Sequence, residues 1–66
     1  MEVTLYSTGC PKCKVLGAKL DGKNINYNVV SDINVIISKG ITTVPVLEID
    51  GRLLDFKKAV DWVNER

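Results

Sequence analysis

Cys10 and Cys13 are the only cysteines in the chain, and they stand three residues apart in the run Cys10-Pro11-Lys12-Cys13. Two thiols at i and i+3 can close a disulfide with each other, or they can supply half of a metal site. On the first turn of a helix their Cα atoms come within about 5–6 Å, inside the window a disulfide accepts. So short a loop constrains the unfolded chain very little, and a bridge across it would serve exchange rather than stability. Zinc needs four ligands, and the chain has no His and no further Cys. Within one chain the metal reading fails; a site pooled from the cysteine pairs of two chains stays open.

The residues before the pair decide how it is presented. Val3, Leu5 and Tyr6 read as a short strand bounded by Ser7-Thr8-Gly9. Cys10 then falls at an N-cap, with Pro11 at the first helical position, where its missing N–H costs nothing. A thiol there meets the positive end of the helix dipole and the free amides of Lys12 and Cys13. Both favour the thiolate of Cys10, the nucleophilic form. Cys13, one turn in and more buried, is placed to resolve a mixed disulfide. Lys12 and Lys14 lie at the helix end where cations are disfavoured. Two readings stay open for them: a solvated face, or charge that favours a nearby anion.

The helix runs to about Leu20, with Cys13, Leu16 and Leu20 on one face and Asp21-Gly22-Lys23-Asn24 ending it. Gly17 within it implies either close packing or a weak helix. Ile25, Tyr27 and Val29 alternate with Asn26 and Asn28 as a half-buried strand. Asp32 caps a short helix with Ile33, Ile36 and Ile37 as its apolar face before Gly40. Thr43 to Ile49 is rich in strand formers, and Asp50-Gly51 is a hairpin turn that returns Arg52-Leu53-Leu54. Asp55 caps a last helix striped by Phe56, Ala59, Val60 and Val63, with Trp62 at the border of the stripe. The order is β-α-β-α-β-β-α, a four-stranded mixed sheet flanked by three helices.

With 66 residues, 45% hydrophobic, the chain reads as one α/β domain over 1–66. A net charge of +1 gives no bulk attraction to nucleic acid or to an anionic membrane. No apolar stretch approaches the roughly 18 residues of a membrane span. The start of the chain is too short and polar for a signal peptide. These features imply the cytoplasm, where thiols are kept reduced and a lone pair is more often catalytic than structural; the chain is expected to be a monomer.

Leu5-Tyr6 leading into Cys10-Pro11-Lys12-Cys13, then Thr43-Val44-Pro45, then Asp50-Gly51, resembles a small glutaredoxin over nearly the whole chain. The resemblance implies a thioredoxin fold with a cis Pro45 facing Cys10. It implies Cys10 as nucleophile, Cys13 as resolving thiol, Tyr6 close to the site, and Thr43, Val44 and Pro45 as the substrate-binding edge. Beyond the redox-active Cys10–Cys13 disulfide it implies no cofactor. The implied partners are protein disulfides, with a reductase or glutathione as electron donor.

The chain departs from that family at several points. The usual Lys after the first strand is absent, Lys12 replaces an aromatic, and Asp55-Phe56 replace two glycines near the glutathione γ-glutamyl group. A carboxylate and a bulky ring there disfavour glutathione by repulsion and by blocking backbone approach. Two other function classes remain to be separated from this one. One is a metal or iron–sulfur dimer through Cys10, and the other is a non-catalytic module that holds a partner peptide at the Val44-Pro45 edge.

Overall fold

A computed structural model describes residues 2–66. Its elements are β1 (Val3–Tyr6), α1 (Pro11–Gly22), β2 (Asn28–Val30), α2 (Ile33–Ser38), β3 (Val46–Ile49), β4 (Arg52–Leu54) and α3 (Phe56–Asn64). The order is the one the sequence implies. The strands lie β2-β1-β3-β4, with β1 parallel to β2 and antiparallel to β3, and β3 antiparallel to β4. This mixed sheet with three helices is the thioredoxin fold.

Local chemistry accounts for most of the boundaries. Asp50 and Gly51 both have positive φ, 50° and 87°, as a two-residue hairpin turn requires. That turn sets Ile49 opposite Arg52. Asp32 and Asp55 cap α2 and α3, accepting the Asn34 N–H at 2.9 Å and the Lys58 N–H at 2.8 Å.

Two elements differ from expectation. β2 begins at Asn28, three residues later than the alternation from Ile25 suggests. Residues just before it are tied to the end of α1 instead: the Ile25 N–H donates to the Leu20 carbonyl at 3.1 Å, and the Tyr27 hydroxyl donates to Asp21 at 3.0 Å. Ile25 and Tyr27 still pack on the core, so their alternation records burial without strand pairing. In α2 only Ile36 is buried, while Ile33 and Ile37 are 58% and 63% exposed. A six-residue helix turns too few side chains inward to hide all three.

The pleat sends successive β1 side chains to opposite faces. Val3 and Leu5, with Leu47 and Ile49 of β3, meet Leu16, Leu20, Ala59 and Val63 of α1 and α3 in the larger core cluster. Leu16, Leu20, Leu47 and Val63 are fully buried, each worth about 1.5–3 kcal/mol of transfer free energy. On the other face Tyr6, Ile36, Ile41 and Val46 form a smaller cluster under α2. Because α2 is short, the rest of that face is an open groove lined by Thr4, Asn28, Val30 and Glu48.

Candidate active site

The thiol pair is built where β1 hands over to α1. The Ser7 N–H donates to the Val30 carbonyl at 3.0 Å, extending the pairing with β2 by one residue. Gly9, at φ 86°, then turns the chain through a conformation that side chains resist. Cys10 follows in extended geometry as the N-cap and Pro11 opens the helix, as their types imply. The Lys14 N–H reaches the Cys10 carbonyl at 3.1 Å, and the Cys13 N–H reaches the Cys10 sulfur at 3.3 Å. The sulfur thus takes the place of the usual capping oxygen.

Both cysteines are free thiols, Cys10 half-exposed and Cys13 only 2% exposed. Burial pushes the Cys13 thiol up. Hydrogen bonding from the Cys10 side chain, the Ser7 side chain and the backbone of Thr8 and Cys10 outweighs it and brings the thiol down to about 7. The downward pull is therefore felt at the inner sulfur, whereas the sequence directs attention to Cys10. Of the two sulfurs, Cys10 is the one that solvent and a large disulfide can reach.

The remaining site residues are brought together to different degrees. The Val44–Pro45 peptide is cis, and Pro45 is buried. Tyr6 pairs with Val46, so continuing the register brings Pro45 level with Ser7, beside the strand end that leads to Cys10. Thr43 is exposed and Val44 half-buried against the smaller cluster. Among the described residues, neither Thr43 nor Val44 makes a backbone hydrogen bond to another backbone group. Thr43 also lines a groove of about 240 Å³ with Ile41, Leu53, Asp55 and Lys58. Lys12 and Lys14 are exposed, and the Lys12 ammonium lies 5.5 Å from the centre of the Phe56 ring.

Tyr6 is near the site through its backbone alone. Its side chain is buried on the α2 face, where the hydroxyl donates to Glu48 at 2.6 Å. That carboxylate, burial and the negative charge nearby push the Tyr6 hydroxyl up to about 12. Trp62 is half-buried at the border of α3, with the Arg66 guanidinium 4.4 Å from its ring centre.

Ser7 and Thr8 are site residues that the sequence marks only as the end of a strand. Their signal is local: the Gly9 N–H donates to the Ser7 hydroxyl at 3.2 Å, a turn that Ser-x-Gly favours. Asp55 and Phe56 also have structural duties. The carboxylate is occupied as the α3 cap, and the half-buried ring packs on the larger cluster. Among the described residues no three His, Cys, Asp or Glu side chains gather as they would around a metal ion. No described helix is long and apolar enough to cross a membrane.

The arrangement suits thiol–disulfide exchange: a reachable sulfur, a second sulfur one turn behind it, and an unpaired stretch of backbone beside them. No family model matches the chain. It is similar to a thioredoxin of Methanothermobacter thermautotrophicus, with 29% identity over 59 residues, covering 80% of this chain and 77% of that protein.

Proposed function

We propose that this chain, a small thioredoxin-like dithiol redoxin, is a thiol–disulfide oxidoreductase that reduces disulfides of other proteins in a reducing compartment such as the cytoplasm. The observation that carries the reading is the half-exposed Cys10 sulfur, capped by the Cys13 N–H at 3.3 Å, with the Cys13 thiol lowered to about 7 behind it. Similarity to a thioredoxin supports the reaction class.

In the forward direction the Cys10 thiolate attacks one sulfur of the target disulfide. A Cys10–target bond forms, the target S–S bond breaks, and the released thiolate takes a proton. The Cys13 thiolate then attacks the Cys10 sulfur. This closes the Cys10–Cys13 disulfide and releases the second target thiol. Target cystine has gained two electrons and two protons, and the protein has lost them. A dithiol reductase, or two molecules of glutathione, returns them.

Protein targets are favoured over glutathione by the Asp55-Phe56 pair at the start of α3. The unpaired backbone of Thr43 and Val44 offers an extended target chain hydrogen-bonding groups. The reading is tested with insulin as disulfide substrate at neutral pH. In one arm electrons come from NADPH and thioredoxin reductase, in the other from glutathione and its reductase. Turnover is expected with the first and little with the second. No turnover with either would sink the proposal.

A further inference from the structure

Charge on this chain is polarised along the sheet. The pairing directions put the C-terminal ends of β1, β2 and β4 at one end, and each leads into a helix, so α1, α2 and α3 all start at the end that carries Cys10. Four exposed lysines lie in those first turns, Lys12 and Lys14 on α1 and Lys57 and Lys58 on α3. None of the three helices has an acidic residue in its first turn. Two carboxylates share this end, the caps Asp32 and Asp55, each holding a backbone N–H. Four cations against two anions leave +2 here. Five cations against six anions elsewhere leave −1, and the two account for the chain's +1.

The lysines are arranged around the reacting sulfurs. Lys12 and Lys14 lie about 100° to either side of Cys13 around the helix axis and so flank the thiol pair. Phe56 carries the Lys12 ammonium at 5.5 Å, bridging the starts of α1 and α3. Lys58 lines the groove that also holds Thr43. Cations at helix starts oppose the dipole and weaken the helices slightly. An anionic partner would reverse the sign of that effect.

We infer that this lysine-rimmed end is a docking surface for an acidic polypeptide segment, one carrying Asp or Glu within a few residues of the disulfide to be reduced. The inference rests on the oxidoreductase function proposed above. The occupant is an extended protein segment because the groove and the unpaired Thr43-Val44 backbone continue the charged rim.

The test is a single turnover that needs no reductase. Pre-reduced protein is mixed with peptides that share one disulfide and differ only in acidic, neutral or basic flanks. Samples are quenched by alkylation and oxidised protein is read by mass. At about 20 mM salt the acidic peptide is expected to react about tenfold faster than the basic one, narrowing to within about twofold at 0.5 M. The Lys57→Glu/Lys58→Glu variant should bring the acidic-to-basic ratio to parity or below, each rate being referred to the neutral peptide with the same protein. Equal low-salt rates for all three peptides overturn the docking surface while leaving the oxidoreductase intact. So does a ratio untouched by the double variant. A wild-type protein that no disulfide oxidises overturns the oxidoreductase and this inference with it.

Discussion

The Cys13 amide donates to the Cys10 sulfur at 3.3 Å, and hydrogen bonding from the Cys10 side chain in turn helps to lower the Cys13 thiol. The folded Cys13 thiol ionises near 7, below the value near 8.5 usual for an unfolded thiol. A depressed value adds stability that is complete above the unfolded value and is lost as pH falls through the folded one. The reduced protein should therefore gain on the order of 2 kcal/mol between about pH 6 and pH 9, read as a rising urea midpoint. The oxidised protein, with no thiol to titrate, should show no such rise. Ser7→Ala should move the alkylation midpoint of the reduced pair upward, because one group that lowers the thiol is removed.

Separating the two sulfurs by function needs one variant each. Cys10→Ser should abolish insulin reduction, leaving less than about one thousandth of the wild-type rate, since the reachable nucleophile is gone. Cys13→Ser should stop at the mixed disulfide, trapping target protein on Cys10. Mass spectrometry of the reaction mixture distinguishes the covalent complex from free protein. A complex on Cys13 with Cys10→Ser would reverse the assignment.

Gly17 is free to be replaced. A methyl group there would meet Tyr27 Oη at 3.7 Å and Leu5 Cδ2 at 3.9 Å, both ordinary contacts. Gly17→Ala should therefore raise stability by about 1 kcal/mol and Tm by about 4–8 °C, measurable by calorimetry. This favours the weak-helix explanation of Gly17 over close packing.

Asp55 combines a cap and a charge, and two substitutions separate them. Asp55→Ala loses the bond to the Lys58 N–H and should cost about 1 kcal/mol in urea unfolding. Asp55→Asn keeps the cap and removes the charge, so its stability should stay close to wild type. If the carboxylate repels glutathione, the Asn variant should show faster glutathione-dependent turnover.

Much of the fold is legible from short-range chemistry. Cys10-Pro11, Asp32, Asp50-Gly51 and Asp55 each dictate a local geometry, and each boundary falls where they put it. What the sequence misplaces depends on distant partners. The start of β2 is decided by ties from Ile25 and Tyr27 back to α1, and the hydroxyl of Tyr6, on the strand face the pleat gives it, is held by Glu48 some forty residues on. The thiol pair is plain from spacing alone. The influence of Ser7 and Thr8 on Cys13 is not, because a polar neighbour of a sulfur leaves no periodic trace.

The two core clusters differ in size, and the two halves of the site are anchored in different ones. α1, which with its cap Cys10 carries both sulfurs, is rooted by Leu16 and Leu20 in the larger cluster. Thr43-Val44-Pro45 is slung between Ile41 and Val46, both in the smaller cluster under a helix of six residues. Opening free energies follow buried contacts, so amides around 36–46 should exchange with solvent through subglobal openings that leave α1 protected. The sulfurs are thus presented by the stiff half of the molecule, while the edge that meets an incoming chain belongs to the half that breathes.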